Sequence, residues 1–120
     1  MPNTLQDLSI LIVEDEVMTA LDVAATIEEA RGTVLGPFSS VQDALNIIEH
    51  HTIHAAILDI NLNDGDVWPV LERLLSHGIF IIVYSSASLP KEMTKRHPSL
   101  SFFQKPMPHA VLTRALMNAF

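Results

Sequence analysis

Short apolar runs alternate along this chain with longer stretches in which apolar residues return every three or four positions. Leu8–Val13 (LSILIV), His54–Ile60 (HAAILDI) and Ile79–Tyr84 (IFIIVY) are nearly continuous apolar runs. Runs this short, rich in β-branched residues, predict strands buried on both faces. Thr33–Leu35 and Leu100–Gln104 predict two shorter strands. The intervening stretches read as helices. Val17–Ala30 carries Leu21, Ala24, Ala25 and Ile27 on an apolar stripe, with Gly32 as its stop. Ser40 is placed to cap a helix that turns Val41, Ala44, Leu45 and Ile48 inward, with Asp43 three residues beyond the cap. After the loop NLNDGD, Asp66 caps a helix with Pro69 in its first turn and Val70, Leu71, Leu74 and Leu75 inward; Gly78 stops it. Pro90–His97 reads as a short charged helix ended by Pro98. Pro108–Phe120 reads as a last amphipathic helix with Val111, Leu112, Ala115, Leu116 and Ala119 inward.

Five strands alternating with five helices predict an α/β fold, a doubly wound parallel sheet covered on both faces. Nothing in the pattern suggests a repeat or a second domain, so residues 1–120 are expected to form one domain with its core over about 8–120. Composition agrees: 120 residues, 48% hydrophobic and 18% charged, describe an ordinary globular chain. A net charge of −7 opposes a phosphate backbone, so direct nucleic-acid binding is not expected. No apolar run approaches the roughly 18–20 residues that span a bilayer, and the N-terminus lacks a secretory pattern. Cysteine is absent, which excludes disulfides and thiolate metal sites. A cytoplasmic location is the expectation.

Doubly wound sheets carry their sites at the carboxyl ends of the strands. The first strand ends in Glu14, Asp15 and Glu16, the third reaches Asp59, the fourth ends at Ser85 and Ser86, and the fifth ends at Lys105-Pro106. Clustered carboxylates repel: two unit charges ~5 Å apart cost ~3 kcal/mol at an effective dielectric constant of ~20. A hard divalent cation relieves this, and Mg²⁺ suits carboxylates, carbonyls and water. Asp15 and Asp59 are the natural direct ligands, the Asn61 backbone carbonyl a third, and Glu14 a ligand through water. In such a pocket a carboxylate can attack a phosphoryl group to form an acyl phosphate. Lys105 would meet the phosphoryl oxygens, and Ser85 would bond them only once they had arrived, which makes it a switch contact. Glu16 reads as a helix-start residue rather than a ligand.

With these residues in order, the chain resembles the receiver domains of two-component response regulators. The likeness rests on Glu14-Asp15 after a buried strand, Asp59 within ILDINL, Ser85 after a buried strand, and Lys105-Pro106, and it covers Leu8 to Phe120. It implies the flavodoxin-like strand order 2-1-3-4-5, and Asp59 as acceptor of a phosphoryl group from a histidine kinase or phosphotransfer protein. It also implies Mg²⁺ at Asp15 and Asp59, Ser85 as switch hydroxyl, Lys105 as phosphate counter-charge and a cis Lys105–Pro106 bond. The switch aromatic three residues before the lysine is Phe102, which has no hydroxyl to bond. Asn63 replaces the family's frequent proline four residues after the acceptor, and Ser86 replaces a small residue after the switch hydroxyl. The segment NLNDGDVWPV resembles short single-domain receivers of alphaproteobacteria.

Other functions fit less well. An aspartyl phosphatase or phosphotransferase needs an acid/base carboxylate two residues after its nucleophile, where this chain has Asn61; an enzyme is therefore not expected. A flavin module needs a hydroxyl- and glycine-rich loop where Glu14-Asp15-Glu16 would repel phosphate. A receiver-like module that binds partners without phosphorylation would have no need of the intact acceptor, acidic pair, hydroxyl and lysine. His50, His51 and His54 read as a helix end and a strand start, and Trp68 as a helix-start aromatic. The expected partners are the phosphodonor and either a downstream protein target or an output domain missing from this chain, in a monomer or a phosphorylation-dependent dimer.

Overall fold

The computed structural model describes residues 4–62, 64–98 and 100–120; Asn63 lies outside them. The main strands are β1 (Ser9–Val13), β2 (Thr33–Phe38), β3 (Ala55–Leu58), β6 (Phe80–Ser85) and β7 (Ser101–Gln104). They pair in the order β2-β1-β3-β6-β7, all parallel. The helices are α1 (Val17–Glu29), α2 (Val41–His50), α3 (Trp68–Ser76), α4 (Lys91–Arg96) and α5 (His109–Asn118). The loop expected after Asp59 is instead a small antiparallel hairpin, β4 (Asn61–Leu62) with β5 (Gly65–Asp66).

The apolar runs become strands because both their faces are covered. Leu11, Val13, Ala56, Leu58, Ile81 and Val83 pack against α2, α3 and α4 through Ala44, Ile48, Leu71, Leu74 and Met93. Ile10, Ile12, Ala55, Ile57, Ile82 and Tyr84 pack against α1 and α5 through Val23, Ala24, Ile27, Leu112 and Leu116. Leu5 also belongs to this second layer, fully buried, with its N–H bonded to the Ala30 carbonyl. Burying each large apolar side chain contributes ~1.5–3 kcal/mol.

Several local expectations are corrected. In α1 the buried stripe is Ala20, Val23, Ala24 and Ile27, while Leu21 is 55% exposed and Ala25 also faces outward. Apolar residues occur nearly all round this helix, so periodicity alone did not choose the phase. In α5, Val111 and Ala119 are exposed, and Thr113 joins Leu112 and Leu116 inside. The left-handed residue after α1 is Arg31, at φ 71°, rather than Gly32. Gly32 is needed for space: a Cβ there would sit 2.7 Å from Ile27 Cγ2. Ser40 does cap α2, accepting the Asp43 N–H at 3.1 Å. Asp66 accepts the Trp68 N–H at 2.9 Å, but the residue preceding α3 is Val67.

Strand β2 runs past Leu35 to Phe38 through an irregularity that brings it to the site. Leu11 pairs with Leu35, yet Val13 pairs with Phe38, so one extra residue is inserted. Gly36 lies there at φ 102°, followed by a cis bond to Pro37. A Cβ on Gly36 would lie 2.7 Å from Phe38 N and 2.9 Å from Ile12 O, both backbone. Gly36→Ala is expected to cost ~3 kcal/mol, strain and clash together, against ~1 kcal/mol at Gly78, which has positive φ but open space around it. Urea midpoints of the two variants check this; an equal loss at both sites contradicts the crowding argument.

Candidate functional site: an acidic pocket at the carboxyl edge

The sheet ladder continues one step beyond β1 and β3 and delivers their next residues to one rim. The Glu14 N–H donates to the Phe38 carbonyl at 2.8 Å, and the Asp59 N–H donates to the Val13 carbonyl at 2.9 Å. These bonds fix the backbone on which the two carboxylates stand. Glu14 is 5% exposed and Asp59 6%, Asp15 is half-buried, and Glu16 is exposed at the start of α1.

Lys105 arrives from the end of β7 and lies among them. Its Nζ is 2.5 Å from Glu14 Oε1, 3.0 Å from Glu16 Oε1 and 3.2 Å from Asp59 Oδ2. The other oxygen of Asp59, Oδ1, accepts the Asn61 N–H at 3.0 Å. Glu14 Oε2 accepts the Glu16 N–H at 3.1 Å. The Thr19 hydroxyl donates to Glu16 Oε1 at 3.1 Å. Glu14, Glu16 and Asp59 thus share a single ammonium, with Asp15 beside Glu14 and Asp59, and the rim is strongly acidic.

This crowding shifts the proton affinities of the cluster. Burial pushes Glu14 up to about 7; the Lys105 ammonium pulls it down, and neighbouring Asp59 raises it again. Burial acts the same way on Asp59, but there the Asn61 N–H, Glu14, the Ser85 hydroxyl and Lys105 outweigh it and leave Asp59 below its ordinary value. Burial alone would lower Lys105; its hydrogen bonds to Glu14 and Glu16 and the charges of Glu14 and Asp59 hold it above the ordinary lysine value. The same crowding therefore acts in opposite directions on the two carboxylates, raising Glu14 and leaving Asp59 lowered.

One carboxylate oxygen from each of Glu14, Asp15 and Asp59 falls within 4.8 Å of the others. Three hard anionic oxygens at such spacing suit a small divalent cation of the magnesium type better than a softer metal. Ser85 ends β6, fully buried. Its Oγ accepts the Ala87 N–H at 3.3 Å, and its carbonyl accepts the Lys105 N–H at 2.9 Å. The Lys105–Pro106 bond is cis. Phe102 pairs with Val83 and packs on the α2/α3/α4 side, while Phe103 packs on the α1/α5 side. Both rings are half-buried.

Two contributors were not legible in the sequence. Glu16 starts α1 as expected but also pairs with Lys105, 89 positions away; no local pattern signals that. Tyr84 read only as strand, yet its ring lies 5.7 Å from Lys105 Nζ. Other polar residues serve the fold. His54 Nδ1 accepts the Ser9 N–H at 2.9 Å, and the exposed Ser86 accepts Gln104 Nε2 at its carbonyl. Trp68 is half-buried, with the Arg96 guanidinium 5.3 Å from its ring centre; Arg96 also pairs with Glu72 at 3.2 Å. That clasp ties the end of α4 to α3.

A family model, the response regulator receiver domain, matches residues 10–117. The solution structure of SdrG from Sphingomonas melonis is 30% identical, with a TM-score of 0.76 over 98% of this chain and 97% of that one. A response regulator receiver protein from Sinorhizobium medicae is 24% identical, with a TM-score of 0.81 over 97% of this chain and 98% of that one. The receiver domain of a sensor histidine kinase from Pseudomonas aeruginosa, 19% identical, has a TM-score of 0.78 over 92% of this chain and 95% of that one. That structure holds a magnesium ion in its active-site cleft. No curated protein sequence matches the chain. No helix among the described residues is long and apolar enough to cross a membrane.

Proposed function

Because the chain belongs to the response regulator receiver family, we propose that residues 1–120 act as one phosphorylation-dependent switch and that Asp59 accepts the phosphoryl group. The observation that carries this is the set of contacts on Asp59: its two oxygens are held by the Asn61 N–H and the Lys105 ammonium, with the carboxylates of Glu14 and Asp15 alongside. Asp15, Asp59 and the Asn61 carbonyl would bind Mg²⁺ directly and Glu14 through a water; the ion supplies positive charge for the incoming phosphoryl oxygens.

The chain's own residues do the rest. The donor is a phosphohistidine of a histidine kinase or phosphotransfer protein. A carboxylate oxygen of Asp59 forms the new bond to phosphorus as the P–N bond breaks, its electron pair returning to the imidazole nitrogen. Lys105 holds the phosphoryl oxygens from the β7 side. Asn61, two residues after the acceptor, has no proton to give or take in hydrolysis, which suits a stored signal better than turnover.

The readout begins at Ser85. Its hydroxyl donates to the phosphoryl group and draws the β6 end toward Asp59, and the Phe102 ring follows into the space vacated. The face formed by α4, β7 and α5 then changes. Helix α4 is suited to movement: Met93 is its single buried residue, and its exposed clasp to α3 adds only a surface ion pair and a cation–π contact. The partner reading that face is a downstream protein or an attached output domain, met by a monomer or a phosphorylation-dependent dimer.

Incubating the protein with a small acyl phosphate and Mg²⁺ is expected to add one phosphoryl group by intact mass, and chelating the metal to prevent it. In the same sample the Phe102 ring resonances should shift. An unmodified mass rejects the acceptor; an unmoved Phe102 ring in a modified protein rejects the switch.

A further inference from the structure

We infer that Tyr84 is a positioning residue for the phosphoryl reaction, acting through Lys105; this rests on the proposed role of Lys105 as phosphate counter-charge. A lysine at the end of an edge strand has four rotatable bonds and is strongly hydrated, so holding its ammonium at one place needs fixed contacts. Glu14, Glu16 and Asp59 supply three of them at the ammonium itself, and Tyr84 and its neighbour Ser85 add two more. The Ser85 carbonyl accepts the Lys105 N–H at 2.9 Å and fixes where the side chain starts. The Tyr84 ring lies 5.7 Å from Nζ, within the range of a cation–π contact, and so favours the place where the side chain ends. The phenol hydroxyl reaches past the lysine to the turn that follows it: it donates to the Met107 carbonyl at 3.4 Å and accepts the Met107 N–H at 3.3 Å.

Core packing alone does not account for a tyrosine here. Its position on β6 is 3% exposed and lies in the apolar layer with Leu112 and Leu116, where Val, Ile or Leu would pack. The hydroxyl is buried with it, and its partners are the backbone groups of the Lys105–Met107 turn. The ring also meets His109, at the start of α5, edge-on with centroids 5.6 Å apart. Beside this column opens a cavity of about 380 Å³ lined by Glu16, Tyr84, Lys105, Met107 and His109 among others. A lysine without the aromatic support has that open space to swing into, away from Asp59. Tyr84 therefore biases the ammonium toward the acidic pocket.

The test is a double-mutant cycle on the rate of phosphorylation by a small acyl phosphate at saturating Mg²⁺, read by intact mass. Tyr84→Leu is expected to slow the wild-type background on the order of tenfold, and Tyr84→Phe, which keeps the ring and loses the hydroxyl, only a few-fold. In a Lys105→Met background, Tyr84→Leu should slow the reaction by less than twofold, because the group it positions is gone. A merely structural role would slow both backgrounds alike, and that result overturns the inference, as does a Tyr84→Leu protein with the wild-type rate. If Tyr84→Leu does not fold, as circular dichroism would show, the cycle is run with Tyr84→Phe and the same criterion. Wild-type speed in Lys105→Met alone would reject the role of Lys105, and with it this inference, before Tyr84 is touched; the two failures appear in different arms.

Discussion

Asp59→Asn is expected to take up no phosphoryl group under conditions in which the wild type takes up one. The asparagine has the same shape and keeps an oxygen to accept the Asn61 N–H, so the pocket should stay assembled. What it loses is the anionic nucleophile, since an amide oxygen at neutral pH does not form a stable bond to phosphorus. It also loses one of the three carboxylates grouped for a cation, so Mg²⁺ should bind on the order of tenfold more weakly. Intact mass gives the first result and a thermal shift on adding Mg²⁺ the second, because a ligand that binds the folded state raises its stability. An equal mass gain in both proteins would place the modification elsewhere, for example on one of the histidines.

Lys105→Met is expected to move two measurements in opposite directions. Phosphorylation should slow on the order of 10²-fold, the usual cost of removing one preorganised cation or donor from developing charge. Mg²⁺ should bind more tightly, because the ammonium now occupies the same acidic cluster, in contact with Glu14, Glu16 and Asp59. Taking it away also removes a contact that lowers Glu14, so that carboxyl should rise further in the metal-free protein. A general loss of structure would weaken both reactions together. Slower phosphorylation with weaker Mg²⁺ binding would therefore contradict the placement of Lys105 as counter-charge and point to damage of the fold.

Both expectations begin from residues that are legible in the sequence. Strands buried on both faces must be apolar throughout, so LSILIV, HAAILDI and IFIIVY stood out, and a parallel sheet brings their carboxyl ends to one edge. Acidic, hydroxyl and lysine side chains at those ends could then be assigned to one rim. Helix phase was less legible. In α1, Val17, Met18 and Leu21 are exposed while Ala20, Val23 and Ala24 are buried; with apolar residues on most sides of the helix, only packing against β1, β2 and α5 decides which stripe is inside. The bulge at Gly36 and the left-handed Arg31 were also hidden, because each answers a demand from a strand or helix already in place.

By itself, then, the sequence determined the alternation of strands and helices and the identities of Asp59, Asp15, Glu14, Ser85 and Lys105 at the strand ends, because solvent exclusion writes strand burial directly into local pattern. Tertiary structure alone decided how those groups share charge. Lys105 meets Glu16 across 89 positions, Glu14 rather than Asp59 takes the raised value, and Tyr84 lies beside the lysine. Coulombic and hydrogen-bond energies depend on distances of a few ångströms between residues remote in the chain. No local pattern encodes such distances; the packed sheet sets them.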